Sequence, residues 1–201
     1  MSLQSKWIMY FHSIQNNNWG KDSYAILGIA KTVDKVDMLF NFFKENANLR
    51  KNMLFWMREK ITDSGSKEFI YPTWEDKYNK DGGSICISGD FEIFWKLFLK
   101  LISYISGETL YIDATKGYNE LNGISFQLRK NGAGTIKLWL RNIPDLSEPP
   151  GELAKKLLLE YNEEIRNEIN KYDPYLVSHK KIKKKDSLYS EKVFKKRNRR
   201  W

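Results

Sequence analysis

The chain has 201 residues, of which 41% are hydrophobic, and a formal net charge of +9. This length is enough for a single domain with its own core. Its one cysteine, Cys86, excludes an internal disulfide framework and a cysteine-based zinc site, and is predicted to be a small buried residue of a strand. No basic-then-apolar leader is present at the start, so secretion is not expected and a cytoplasmic location is.

Hydrophobic periodicity predicts alternating strands and three helices in one domain, residues 1–180. The longest apolar segment, 91–106, carries charged residues at helical spacing, which describes an amphipathic helix and excludes a membrane span. Hairpins and single helices between strands, without a regular βαβ rhythm, predict an α+β fold. In chain order, we predict strands at 6–12 and 24–30, a helix at 33–46, a strand at 53–61, a polar loop at 62–67, a strand at 85–88, a helix at 91–106, a hairpin of 121–130 with 135–141, a helix at 149–172 and a strand at 175–180.

The positive charge is concentrated in a C-terminal tail, residues 181–201. From residue 179 onward there are eleven Lys or Arg and two acidic residues, so residues 1–178 carry 23 basic and 23 acidic side chains. A run of like charges is commonly a solvated segment. Attraction to RNA phosphates and nuclear localisation are alternative roles that the composition leaves open.

Two tryptophans lie in segments rich in turn-forming residues. Trp74 follows Pro72 and precedes Glu75, and Trp19 lies in an asparagine-rich stretch. Because loops run over the surface, these indoles are not obvious core residues. Two exposed indoles can close on a flat aromatic ligand, and a cationic ring gains further from their electron-rich faces. A neighbouring carboxylate can accept hydrogen bonds from the edge of such a ligand, so the pattern suits a positively charged purine.

At these residues the chain resembles translation initiation factor 4E, the mRNA cap-binding family. The resemblance covers roughly residues 3–179, and the Trp-Glu-Asp stretch with the downstream Gly-Gly is its most specific part. The matching segments are residues 3–7, 16–19, 32–34, 72–76 and 79–83, then Phe94-Trp95, Gly107-Glu108, Leu128-Arg129 and Trp139. It implies a curved antiparallel β-sheet with three helices on the convex face and a ligand slot on the concave face.

The resemblance also implies roles for four residues. Trp19 and Trp74 match the indoles that stack on both sides of 7-methylguanine, and Glu75 matches the carboxylate that accepts the guanine N–H groups. Trp139 matches the residue that touches the methyl group. The alternative interpretations are that a tryptophan caps the core from a loop, that Glu75 is a solvated loop acid, and that Trp139 is a buried strand residue.

The phosphate end departs from the family pattern. Arg129 matches the family's main phosphate-binding arginine, but Ser84 and Thr135 occupy two positions that are basic in the family. Strand alternation puts residues 135, 137 and 139 on one face, so Lys137 is a candidate replacement. Lysine is a flexible point charge and not a bidentate fork, so its contacts are less directional. The further candidate phosphate donors are Lys130, Lys180, Lys181 and Lys183.

The expected partner surface departs more sharply. Family members carry an exposed tryptophan on the first helix, four residues after the position of Val33, which binds the Tyr-x-x-x-x-Leu-Φ motif of the 4G scaffold and of repressors. That position here is Asp37, and nearby apolar positions of the second helix are Lys96 and Lys100. An apolar groove for a partner helix is thus replaced by a charged surface. Ordinary surface drift in a divergent relative explains the same change.

No enzymatic site or cofactor is expected. The two histidines lie far apart without a metal-binding pattern, no nucleophile elbow is present, and Glu75 and Asp76 need not converge as a catalytic pair. The prediction is a monomeric, non-enzymatic protein that binds capped mRNA for translation initiation, with a 4G-like scaffold as a candidate partner. A cap-sequestering translational repressor and a general single-stranded RNA binder acting through the basic tail are the alternatives.

Overall fold

Eight antiparallel strands form one curved sheet whose helices lie on the convex side. The structure is a computed structural model that describes residues 1–46, 48–62, 64–144 and 147–180. The strand order is β2-β1-β3-β6-β7-β5-β8, with β4 paired to β3. The strands are β1 (Ser2–Ser13), β2 (Ala25–Thr32), β3 (Asn52–Ile61), β4 (Lys67–Phe69), β5 (Gly83–Asp90), β6 (Leu121–Leu128), β7 (Ala133–Leu140) and β8 (Tyr175–Ser178).

The described residues contain five α-helices, two more than the three predicted. They are α1 (Val33–Asn46), α2 (Phe91–Ser106), α3 (Ala114–Glu120), α4 (Pro150–Leu158) and α5 (Glu163–Asn170). The bounds of α1 and α2 agree with the sequence prediction. Asp90 starts α2 as an N-cap, because its carboxylate accepts the backbone N–H groups of Glu92 (3.0 Å) and Ile93 (3.2 Å).

The predicted helix at 149–172 is wrong as a single element, because it breaks between α4 and α5. The backbone of Asn162 donates to the carbonyl of Leu110 (2.7 Å), and Tyr161 forms an isolated bridge to Tyr111. These bonds hold the chain against the 110–112 segment. The Asn162 side chain then caps α5 by accepting the N–H of Glu164 (3.0 Å).

Alternation along the strands divides the sheet into two apolar faces. The convex face carries the main core, to which β1 contributes Trp7 and Met9 and β3 contributes Leu54 and Trp56. Neighbouring residues of the same strands point to the concave face and form a second, smaller cluster. That cluster contains Ile8, Tyr10, Tyr24, Met53, Phe55, Met57, Ile70, Tyr78 and Trp139. The concave face is therefore partly filled by aromatic rings and forms the floor of the candidate site.

The remaining sequence predictions fall close to the observed elements. Cys86 is fully buried in β5, as expected. The polar loop at 62–67 is followed by β4, a short strand that pairs back on β3. In the part of the chain that the structure describes, no helix has the length and apolar character needed to cross a bilayer. The tail at 181–201, with Lys181 and Lys183, lies outside the described residues.

Candidate functional site

The turn that carries Trp74 is held by two buried polar residues. Asp76 accepts the backbone N–H groups of Tyr71 (3.3 Å) and Tyr78 (3.0 Å), which closes the turn around its carboxylate. The amide of Asn79 donates to the carbonyls of Tyr71 (2.8 Å) and Thr73 (2.9 Å). Since both side chains are buried, the turn has a defined shape, and it leaves the Trp74 indole 49% exposed.

His179 lies behind Trp74 as a flat platform. The two rings stack with centroids 5.9 Å apart and an interplanar angle of 9°, and Trp139 contacts the same imidazole at 4.9 Å. The imidazole Nδ1 lies 3.0 Å from the carbonyl oxygen of Asn79, and Nε2 lies 2.7 Å from the hydroxyl of Ser84. A neutral ring that donates from Nδ1 and accepts at Nε2 satisfies both contacts.

Burial keeps that imidazole neutral. His179 is 5% exposed, and burial lowers its pKa to about 4. The bond to the Asn79 carbonyl opposes this shift, and the positive charge of Lys137 adds to it. At neutral pH the platform therefore bears no charge that would repel a cationic ring stacked on the outer face of Trp74.

Trp19 rests on a second histidine. Its indole is 51% exposed, and its other face packs on His12 with ring centroids 4.2 Å apart. His12 is fully buried, and its two nitrogens each lie 3.2 Å from a carbonyl oxygen, those of Asn16 and Ser23. These carbonyls flank Trp19 in the sequence. The ring of His12 thus lies between both sides of the loop and β1, and a neutral imidazole donates to one of the two carbonyls.

The two tryptophan-bearing loops are joined to each other. The ammonium of Lys21 lies 3.6 Å from the carboxylate of Asp76 and 4.9 Å from the centroid of the Tyr71 ring. Glu75 is exposed, and its charge reaches Tyr24: burial, and secondarily this carboxylate, raises the pKa of the Tyr24 phenol. The structure therefore places the Trp19 loop and the Glu75 carboxylate at one end of the concave face.

Trp139 lies on the concave face but is covered. It is 3% exposed, and its indole N–H donates to the hydroxyl of Ser125 (3.0 Å). Phe55 packs against it edge-on, with ring centroids 6.2 Å apart. Trp139 therefore lies next to His179, which stacks on Trp74, and it is also as buried as an ordinary strand residue.

Arg129 is oriented by Thr135. Its Nε–H donates to Thr135 Oγ1 (2.6 Å), and that hydroxyl lies 3.0 Å from the hydroxyl of Ser88. Thr135 is buried, whereas Arg129 is half-buried. Thr135 therefore does not bind a phosphate itself in this arrangement, but fixes the guanidinium at the rim of the sheet.

Lys137 lies between the Arg129 end and the His179 end of the concave face. It pairs with Cys86 across β5 and β7, and burial raises the pKa of that thiol to about 11. The positive charges of Lys137 and Arg129 both oppose this rise, so both cations lie near the same stretch of sheet. Lys130 and Lys180 are exposed, whereas Ser84 is buried against His179 and does not face solvent.

On the convex side, Val33, Asp37 and Lys96 are exposed as the sequence analysis expects of a partner surface. Lys100 pairs with Glu164 of α5, with Nζ 2.5 Å from Oε1. The hydroxyl of Tyr104 donates to the other oxygen of the same carboxylate (2.5 Å). The exposed positions of α1 and α2 therefore include both charged side chains and apolar ones, among them Met38, Phe42 and Ile93, and the Lys100–Glu164 pair joins α2 to α5.

The sequence did not predict His12 and His179 as site residues, because they were considered only as catalytic or metal-binding residues. Alternation along β1 puts His12 on the same face as Ile8 and Tyr10, which is a signal that sequence reasoning could have used. Nothing comparable marks His179, which follows the last residue of β8. Lys21 also gave no local signal, since its partner Asp76 lies in another loop.

Comparison with known proteins agrees with this architecture. A family model described as eukaryotic initiation factor 4E matches residues 2–193. Ascaris suum eIF4E-3, solved with an m2,2,7G cap, has a TM-score of 0.63 at 17% identity over 90% of this chain and 93% of that one. A schistosome eIF4E, solved with m7GpppA and 4E-BP, has a TM-score of 0.62 at 18% identity over 88% and 87%.

A third structure, C. elegans eIF4E-3 with the 4E-binding protein Mextli and a cap analog, has a TM-score of 0.56 at 21% identity, over 70% of this chain and 74% of that one. No curated protein sequence matches the chain. At these identities the structural matches show the fold alone. The family model spans nearly the whole chain, and the protein therefore belongs to the eukaryotic initiation factor 4E family.

Proposed function

We propose that this protein binds the 7-methylguanosine cap of mRNA and supports translation initiation without catalysing a reaction. The observation that carries the proposal is the pair of half-exposed indoles, Trp19 and Trp74, on two loops joined by an ion pair. Membership of the initiation factor 4E family supports it. Solved relatives from Ascaris suum and schistosome hold cap structures.

The base would be held by stacking and by its edge. Each indole packs against a histidine and is about half exposed, and an aromatic ligand would stack on the face opposite the histidine. Methylation at N7 makes the base cationic, so stacking includes a cation–π contact of about 2 kcal/mol when desolvated, and base stacking adds about 1–3 kcal/mol. Glu75 would accept the guanine N1–H and N2–H groups, which discriminates guanine from adenine.

Trp139 would contact the methyl group of the base. Because it is 3% exposed and lies against His179, only an edge of the indole is available to a ligand stacked on Trp74. An indole at this position gives the methyl group an apolar wall. A wall of this kind favours the methylated base over plain guanine by burying an extra methyl group.

The triphosphate would extend along β7 toward Arg129. Residues 139 and 135 are four apart on one strand, which corresponds to roughly 13 Å at the usual rise per residue. Lys137 lies between them, and Arg129 is held by Thr135 at the far end. The guanidinium can form two parallel hydrogen bonds with a phosphate, whereas the exposed Lys130 and Lys180, and Lys181 and Lys183 of the tail, would add less directional charge.

Retention on 7-methylguanosine resin tests the proposal. We expect the protein to be eluted by cap analogue but not by GTP. Trp74→Ala and Trp19→Ala should each abolish retention, and Glu75→Ala should reduce it. Ile112→Ala, which truncates another exposed apolar side chain, is the matched control and should bind normally. Equal elution by GTP would favour the general RNA-binding alternative, and full retention of Trp74→Ala would overturn the stacking site.

The partner would be a scaffold-type protein, and a partner protein of another kind, 4E-BP, is present in the structure of a schistosome eIF4E. We propose that it docks on the convex surface of Val33, Asp37, Lys96 and Lys100, through contacts that suit charge instead of an apolar groove. A pull-down followed by translation of capped reporter mRNA in a cell-free extract separates two outcomes. Recovery of a scaffold and stimulated translation support recruitment, whereas inhibition without a scaffold supports the sequestering repressor.

A further inference from the structure

We propose that Lys21 is a positioning residue that joins the two tryptophan loops and sets the width of the slot between them. This inference rests on the proposed function, because it assigns a role in holding the base. The ammonium of Lys21 lies 3.6 Å from Asp76 and 4.9 Å from the centroid of Tyr71, while Lys21 itself is two residues after Trp19. One side chain thus connects the loop of Trp19 to the turn of Trp74.

The Asp76 end of this connection is rigid. The carboxylate is 4% exposed and already accepts two backbone N–H groups of the turn, at Tyr71 and Tyr78. A carboxylate buried to this extent needs a compensating charge, and Lys21 is the cation that the structure places beside it. Because Trp74 lies two residues before Asp76, the ammonium is attracted to a point in the turn close to that indole in the sequence.

The Lys21 end is also restrained. Asn18 donates through its amide to both oxygens of Asp22 (3.3 and 3.1 Å), and its own Oδ1 accepts the N–H of Gly20 (2.8 Å). The hydroxyl of Ser23 donates to the carbonyl of Gly20 (2.7 Å). These bonds fold the loop on itself around Trp19. A shift of Lys21 toward or away from Asp76 therefore carries the indole with it.

The consequence is a slot that is formed before the ligand arrives. An ordered pair of walls avoids the entropy cost of closing two mobile loops on binding. The connection is an ion pair between Lys21 and Asp76 in which the lysine is largely exposed. Its contribution to holding the two loops together is therefore expected to weaken as the salt concentration rises. The Tyr71 ring adds a cation–π contact that depends less on ionic strength.

The experiment compares the full-length protein with Lys21→Met, which keeps an apolar stem and removes the charge, and with Lys21→Arg, which keeps the charge. Lys31→Met, an exposed lysine on β2, is the matched control. Amide hydrogen exchange of the free proteins is measured over residues 13–24 and 71–81, and the dissociation constant for 7-methyl-GTP by fluorescence quenching. We expect Lys21→Met to exchange faster in both segments and to bind about 1.5- to 5-fold more weakly. Lys21→Arg should restore both values.

Unchanged exchange in both segments of Lys21→Met, relative to Lys31→Met, would overturn the inference. So would a weakened affinity that Lys21→Arg fails to restore. The exchange measurement needs no ligand, so it separates this proposal from the proposed function. If the wild-type protein fails to bind 7-methyl-GTP, the proposed function fails even where the exchange data show that Lys21 joins the loops.

Discussion

Acidification should destabilise this protein through His179. The imidazole is neutral in the folded state because burial lowers its pKa to about 4, whereas in the unfolded chain it titrates near its ordinary value of about 6.5. The unfolded state therefore binds the proton first as the pH falls. The contribution to stability is complete above about pH 6.5, declines as the pH drops below that value, and stops changing below about pH 4.

The size of the effect follows from these two pKa values. Between about pH 7.5 and pH 5 the unfolded chain gains nearly one proton at this position, while the folded chain gains almost none. The corresponding loss in the free energy of unfolding is about 2 kcal/mol. Since His179 stacks on Trp74, we expect the affinity of the folded protein for the cap to fall only as the pH approaches about 4, where the folded imidazole takes up its proton.

Urea denaturation of the wild-type protein and of His179→Gln at both pH values isolates this contribution. The glutamine amide can donate to the Asn79 carbonyl and accept from the Ser84 hydroxyl, but it does not titrate. Subtracting the change in the free energy of unfolding of the variant from that of the wild-type protein cancels the contribution of carboxylates elsewhere, which titrate in both. We expect the wild-type protein to lose about 2 kcal/mol more than the variant between the two pH values. An equal loss in both proteins would refute the assignment of the acid sensitivity to His179.

Three further predictions concern the other parts of the site. Arg129→Gln should weaken binding of 7-methyl-GTP about tenfold while changing that of the 7-methylguanosine nucleoside less than about twofold, because the proposed role of the guanidinium is to bind phosphates only; equal losses in two parallel titrations would contradict this. A peptide with the Tyr-x-x-x-x-Leu-Φ motif should bind the wild-type protein weakly and Asp37→Trp at least about tenfold more tightly by calorimetry, and no gain would count against the proposed convex surface. Deleting residues 181–201 should lower cap affinity and flatten its salt dependence, and finding both unchanged would exclude a role of the tail.

The fold could be predicted from the sequence where the hydrophobic pattern was regular. In α1, Val36, Leu39, Phe40 and Phe43 recur at helical spacing and are all buried, so the bounds of this helix were predicted well. The break between α4 and α5 was missed because its cause is a tertiary one. Asn162 leaves the helix to bond with Leu110, and nothing near Asn162 in the sequence indicates that partner.

The candidate site shows the same division. The positions of Trp19, Trp74 and Glu75 could be proposed from local sequence, because each lies in a recognisable turn-rich segment. The residues that support them could not be predicted, because their contacts are long-range. His179 contacts Asn79, which is 100 residues earlier in the sequence, and Lys21 pairs with Asp76 of a different loop. From the sequence, Thr135 was interpreted only as the replacement of a basic residue. The structure adds that its hydroxyl accepts a hydrogen bond from Arg129 and orients that side chain.

The wall behind Trp74 is completed by a residue that follows the last described strand. His179 contacts the Asn79 turn, and β8 pairs with β5, so this side of the slot depends on long-range contacts that form only once β8 is present. A chain that lacks β8 and the residue after it retains the contact of Trp19 with His12, but it has no imidazole behind Trp74. The support of the second indole therefore comes from contacts between segments that are distant in the sequence, and not from its local turn alone.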